Sequence, residues 1–197
     1  VSVKKLLLYG GAFDPPHLGH TRLLETAVNA VKPDRIIVMP SAHSPHKRTA
    51  GASFAERCDM CRLAFGNTGV TISGFENRSR KRSYTVRTLR YLHRRFPDYK
   101  IYLVLGSDAL CIFLHRWKQS GKILSLATLV SARRTDADDG EFDRAVGELA
   151  VAGHAPVVLD MKPVEVSSSD FRAEHYDMDA VCGAVAEYIE RHHLYKR

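Results

Sequence analysis

A doubly wound parallel α/β sheet is the fold predicted by this chain of 197 residues, and three observations carry the prediction. Short, largely apolar runs at Leu6–Tyr9, Arg35–Pro40, Ile101–Leu105 and Leu126–Ala132 have the unbroken character of strands covered on both faces. Stretches of helical period separate them, and strands alternating with helices return parallel to one another through crossovers. The first run also breaks at Gly10-Gly11 and passes into a helical pattern. Such a strand-to-helix turn lets the backbone approach a ligand and offers helix N–H groups to an anion.

Taken in order, the helix after the first strand covers Thr21–Val31, with His20, Leu23, Leu24, Ala27, Val28 and Val31 on one face. The second strand leads into an irregular loop, Ser41-Ala42-His43-Ser44-Pro45-His46-Lys47, whose lysine is a point charge suited to phosphate. A helix around Ser53–Phe65 follows, then a short strand, Val70–Ser73, with Glu76 at its carboxyl end. Ser83 is placed to cap the next helix, whose inner face carries Val86, Leu89 and Leu92. The strand Ile101–Leu105 exits through Gly106-Ser107-Asp108-Ala109-Leu110, and residues there face the crevice where α/β sheets bind ligands. Asp108 is thus placed to contact a ribose or help organise Mg²⁺. Beyond the strand ending at Arg133-Arg134, a helix carries Phe142, Ala145, Val146 and Leu149, and Pro156–Leu159 forms a sixth short strand. Val166-Ser167-Ser168-Ser169-Asp170-Phe171-Arg172 reads as a helix start with an acidic first turn. Its Arg172 adds a planar fork able to hold phosphate oxygens.

The chain is long enough for one well-buried domain and short for two, so residues 1–197 are expected to form one domain. No apolar run approaches the roughly 20 residues that cross a bilayer, and Val1-Ser2-Val3-Lys4-Lys5 lacks a signal-peptide core. A cytoplasmic protein is the expectation. Four cysteines would on count alone permit two disulfides. Cys58 and Cys61 lie in a helical stretch without a second pair at zinc-like spacing, so structural thiols are expected and no metal site. The net charge of +7 suits a nucleic-acid binder or an enzyme for small polyanions. The excess is local, with Arg78, Arg80, Lys81, Arg82, Arg87, Arg90, Arg94 and Arg95 in one stretch.

The central stretch is Gly10-Gly11-Ala12-Phe13-Asp14-Pro15-Pro16-His17-Leu18-Gly19-His20. Two histidines three apart at a first helical turn can donate to one anion. Alone, His17 would close the turn and His20 would pack in the core. The glycine pair, the strand before and the helix after favour a shared phosphate site instead. The stretch closely resembles the opening of the bacterial-type nicotinate-nucleotide adenylyltransferases, and His17-Leu18-Gly19-His20 is similar to the His-x-Gly-His of the wider nucleotidyltransferase superfamily. The resemblance continues through Pro45-His46-Lys47, through Ser83-Tyr84-Thr85-Val86 with Thr88-Leu89, and through Gly106-x-Asp108-Ala109-Leu110 followed by Trp117. Val166–Arg172 resembles the superfamily's Ile-Ser-Ser-Thr-x-Ile-Arg, and Leu194-Tyr195 resembles the family's ending. Arg87 departs from a usual acidic residue, and no proline precedes the last helix. At Arg133-Arg134-Thr135 the register against the family's Arg-Pro-Gly leaves either arginine as the equivalent.

The resemblance implies a Rossmann-like nucleotidyltransferase fold and adenylyl transfer from ATP to nicotinate mononucleotide, with Mg²⁺ accompanying ATP. It assigns His17, His20 and Arg172 to catalysis, with His20 nearest the transferring phosphorus. Gly10, Gly11, Phe13, Lys47, Gly106, Asp108, Ser168 and Ser169 join them around ATP. Ala12, His46, Lys47, Tyr84, Thr85, Trp117 and Arg133 or Arg134 are assigned to the mononucleotide, Trp117 stacking on its pyridine. The attacking phosphate is already an anion, so no general base is required. Rivals are the same chemistry on nicotinamide mononucleotide or phosphopantetheine, and a basic nucleic-acid-binding module that has lost catalysis. The partners expected are the two small-molecule substrates, without a membrane; a homo-oligomer stays open.

Overall fold

The computed structural model describes residues 3–42, 51–66, 69–78, 84–133, 139–162, 164, 166–173 and 177–195. Six parallel strands form one sheet in the order β3-β2-β1-β4-β5-β6, namely β1 (Lys4–Gly11), β2 (Arg35–Pro40), β3 (Thr71–Ile72), β4 (Tyr99–Val104), β5 (Thr128–Ala132) and β6 (Val157–Leu159). The connecting helices are α1 (Leu18–Val31), α2 (Phe54–Phe65), α3 (Thr85–Arg95), α4 (Ser107–Cys111), α5 (Phe113–Arg116), α6 (Ser120–Leu124), α7 (Asp139–Val151), α8 (Ser168–Ala173) and α9 (Gly183–Arg191).

Successive side chains on a strand point to opposite faces, so an apolar run feeds two cores. Leu6 and Leu8 of β1 join Ile37, Met39, Ile101 and Leu103 in a core beneath α3 and α7. Leu7 and Tyr9 join Ile36, Val38 and Val104 in a second core beneath α1 and α2. A third cluster, including Met60, Phe171, Val185 and Ile189, binds α2, α8 and α9 together. Cys58 and Cys61 are buried free thiols, and burial pushes the Cys61 thiol up.

The sheet matches the predicted one, with local differences. Strands β3, β5 and β6 are shorter than the apolar runs suggested, and α4–α6 divide a region whose sequence marked only a strand exit and Trp117. Tyr84 stands at the N-cap position of α3 without a side-chain capping bond, while Ser83, the expected cap, lies outside the described residues. Helix α1 begins at Leu18, three residues before the expected Thr21, because the His17 carbonyl already accepts from the His20 and Thr21 N–H groups at 2.8 and 3.2 Å. No helix among the described residues is long and apolar enough to cross a membrane.

Candidate active site

Strand order reverses between β1 and β4, and a crevice opens there at the carboxyl ends of the strands. It holds a cavity of about 450 Å³, within the roughly 300–1,000 Å³ of small-molecule sites. A Cβ on Gly10 or Gly106 would meet no atom within 4 Å, so both residues leave open space on the two lips. Gly11 is needed for another reason: a Cβ there would lie 2.9 Å from the Phe13 ring. Phe13 itself has a positive φ of 50°. Its buried ring packs edge-on against Tyr9, His20 and Phe65 with centroids 5.2, 5.1 and 5.6 Å away, and so supports His20 from below.

The imidazoles of His17 and His20 lie together, with centroids 3.6 Å apart. His20 Nδ1 accepts from the His17 backbone N–H at 3.1 Å. That bond assigns the proton of the neutral His20 ring to Nε2, leaving Nε2–H as a donor. Gly19 belongs to the same arrangement. A side chain there would come within 3.1 Å of the His17 ring. Both histidines line the cavity, as do Ser168 and Arg172 from α8. Ser168 and Arg172 are four apart and share a helix face, whereas Ser169 is turned about 100° away; it is exposed and outside the lining.

Helix α8 is fastened onto the motif through main-chain carbonyls. Ser168 Oγ donates to the Pro15 carbonyl at 2.9 Å, and the Arg172 guanidinium donates to the Asp14 carbonyl. Arg57 of α2 donates to the Ala12 carbonyl at 2.6 Å from a position only 2% exposed. The Asp14 carboxylate, also 2% exposed, is held by groups of the protein itself. Its Oδ1 accepts from the Ala52 N–H at 2.9 Å and the Tyr195 hydroxyl at 2.8 Å. Gly51 closes this knot, since a Cβ there would lie 2.5 Å from both Asp14 Oδ1 and the Tyr195 ring. Burial, then the Asp14 charge, pushes the Tyr195 hydroxyl well up from its ordinary range.

Another wall of the cavity carries Tyr84, Thr85, Thr88, Glu76, Trp117 and Lys118. Lys118 Nζ sits 5.0 Å over the Tyr84 ring and joins the Trp117 segment to the start of α3. Trp117 leans on Phe113 with centroids 5.3 Å apart. Thr88 Oγ1 donates to Glu76 Oε1 at 2.8 Å. Arg133 lines the cavity at the end of β5, bonds Asp143 and lies 5.2 Å over the Phe142 ring.

Of the residues singled out by sequence, Gly10, Gly11, Ala12, Phe13, His17, His20, Tyr84, Thr85, Gly106, Asp108, Trp117, Arg133, Ser168 and Arg172 line this one cavity. His46, Lys47 and Arg134 lie outside the described residues. As site residues the sequence did not single out Gly51 or Arg57, and it named Glu76, Thr88 and Ser107 only as a strand end, part of the resemblance and a strand exit. Glu76 and Ser107 carried the signal of a place at a strand's carboxyl end, and Arg57 that of a charge one turn from Cys61 on the buried side of α2. Within the basic stretch, Arg87 lies 5.9 Å over the Phe75 ring, Arg90 bonds Gln119 and Arg95 lies 5.5 Å over the Phe96 ring.

A strand-to-helix histidine pair facing a serine and an arginine from late in the chain, across the reversal point of a parallel sheet, defines a nucleotidyltransferase fold. Residues 8–174 match the cytidylyltransferase-like family, and the chain belongs to it. Among its relatives, a protein of Gemmatimonas aurantiaca named "Probable nicotinate-nucleotide adenylyltransferase" is 32% identical over 98% of this chain and 92% of its own length. A Rhodopirellula baltica protein of the same name is 35% identical over 84% of this chain and 79% of its own. The nicotinic acid mononucleotide adenylyltransferase of Plasmodium falciparum complexed with NaAD shares the fold, with a TM-score of 0.76 at 20% identity over 98% of this chain and 97% of that one.

Proposed function

We propose that this chain transfers the adenylyl group of ATP to nicotinate mononucleotide, giving deamido-NAD and pyrophosphate, a step of NAD biosynthesis. The names of its full-length relatives support the reaction. The carrying observation is that His17, His20, Ser168 and Arg172 line the same cavity as Thr85 and Trp117, so a polyphosphate and an aromatic ring can be bound side by side. A phosphate oxygen of the mononucleotide attacks the α-phosphorus of ATP. The bond from that phosphorus to the bridging oxygen breaks, and its electron pair leaves with pyrophosphate. Positioning and donors aimed at the developing charge supply the catalysis. His20 Nε2–H and the His17 ring would face the α- and β-phosphates, while Ser168 and the guanidinium nitrogens of Arg172 not committed to Asp14 would hold the outgoing pyrophosphate. Thr85, Trp117 and Arg133 would hold the mononucleotide.

Mg²⁺ would arrive with ATP. Among the described residues no three His, Cys, Asp or Glu side chains gather to hold an ion. An ion resting on phosphate oxygens and water fits this donor set, with Asp108, exposed on the lining, suited to its water shell. The test is incubation with Mg-ATP and either nicotinate or nicotinamide mononucleotide, following dinucleotide by chromatography and pyrophosphate release. Deamido-NAD forming faster than NAD is expected. Neither dinucleotide forming would overturn the reading.

A further inference from the structure

Glu76 lies in the 3-10 turn Phe75–Arg78 after β3 and lines the cavity on the wall that carries Thr85 and Trp117. Its Oε1 is held by Thr88 Oγ1 at 2.8 Å, while its Oε2 is buried and has no hydrogen-bond partner among the described residues. No ion pair among the described residues involves it. Lys118 of this wall lies over the Tyr84 ring, and Arg87 of α3, outside the cavity lining, lies over the Phe75 ring. A buried carboxylate oxygen without a donor is costly in the free protein, and on a residue that lines a binding cavity a charge brought by the ligand offsets that cost.

We propose that Glu76 is the counter-charge to the pyridinium ring of the mononucleotide, and so a specificity-determining residue for that substrate. The proposal rests on the functional reading above. In nicotinate mononucleotide the ring nitrogen is bonded to ribose, so the ring carries a formal positive charge, while the ring carboxylate and the phosphate are negative. The ring is therefore the one positively charged part of that substrate, and the part whose attraction to a carboxylate depends on charge. Thr88 fixes one carboxylate oxygen, and the other has no partner among the described residues. Trp117 on the same wall offers an aromatic face that favours the same cationic ring.

The chemistry separates ring charge from hydrogen bonding. Reduced nicotinate mononucleotide, a 1,4-dihydropyridine, keeps the ribose, phosphate and carboxylate but has a neutral ring. Its affinity and that of the oxidised form are measured by calorimetry on the wild type and on Glu76→Gln, together with KM for both substrates. The wild type is expected to bind the oxidised form at least roughly tenfold tighter. Most of that ratio is expected to vanish in Glu76→Gln, whose KM rises for the mononucleotide and not for ATP. A ratio unchanged by the substitution overturns the proposal, because glutamine still accepts a ribose hydroxyl and Trp117 is intact. If Glu76→Gln does not fold, Trp117→Leu replaces it: a preference for the charged ring that persists without the indole supports Glu76, and one that disappears overturns it. Equal affinities on the wild type overturn it in any case. A wild type that forms no deamido-NAD defeats the functional reading, whereas one that forms it with equal affinities defeats only this inference.

Discussion

The wall that carries His17 and His20 is fixed through main-chain carbonyls, whereas the wall that carries Thr85 and Trp117 is fixed side chain to side chain. On the first, Arg57, Arg172 and Ser168 each hold a carbonyl of the Ala12–Pro15 segment, and Tyr195 and Ala52 hold the Asp14 carboxylate. On the second, the ties are Thr88 to Glu76 and Lys118 to Tyr84. A carbonyl held from outside fixes the backbone itself, so the imidazoles cannot shift without breaking several bonds. Buried polar atoms without a hydrogen-bond partner among the described residues occur on both walls, Arg57 Nε behind the first and Glu76 Oε2 on the second. On the function proposed above, the difference places the chemistry on the wall held through its backbone and substrate choice on the wall held through its side chains.

The largest effect that would test this division is at His20. His20→Ala is expected to lower kcat by about 100- to 10,000-fold with the melting temperature changed by only a few degrees. Near-normal turnover would remove the histidine from the chemistry. Trp117→Ala should act on the other wall, raising KM for the mononucleotide by roughly 10-fold or more while KM for ATP stays within about twofold. Equal changes in both KM values would show that the walls do not act separately.

Asp14→Ala is a stability test of the carbonyl-held wall, since it strands the Ala52 N–H and the Tyr195 hydroxyl. A loss of about 2–4 kcal/mol is expected in urea unfolding, with kcat falling more than KM for the mononucleotide. Tyr195→Phe should cost about 1 kcal/mol near neutrality and alter the alkaline limb of the stability profile. The folded hydroxyl is held above its unfolded pKa of about 10, so its contribution is full below that pH and is lost as pH rises past it. The variant should lose stability less steeply above about pH 10, although Tyr9, also pushed up by burial, keeps part of the slope. An unchanged limb would mean that the Tyr195 bond to Asp14 is not maintained in solution. The smallest effect belongs to Glu56, whose carboxylate accepts from the Ser53 N–H at 2.6 Å at the start of α2, one residue before Arg57. The Ser53 hydrogen bonds hold its carboxyl below the usual range. The stabilisation it provides is therefore present above its unfolded pKa of about 4.3 and lost as pH falls through the folded value. Glu56→Gln should cost less than about 1 kcal/mol at neutral pH and leave kcat unchanged.

Ser168 and Arg172 were expected at the site only through the resemblance of Val166–Arg172 to a superfamily element, whereas sequence alone determined the parallel sheet and the strand that ends at the glycine pair. These follow from short-range rules, because alternation, helical period and a strand-to-helix turn are written in neighbouring residues. The apolar period marks α1 only from Thr21, because His17 stands at its N-cap where no Ser, Thr, Asp or Asn signals the start. Only the tertiary structure decided that Asp14 faces inward to Tyr195, that Arg57 holds the Ala12 carbonyl, that Ser169 turns away, and that Glu76 pairs with Thr88 beneath the ligand space. The bonds among these are between residues 12, 45 and 181 apart in the chain. A hydrogen bond depends on where two atoms meet after the sheet and its helices have packed, and no local pattern encodes that meeting.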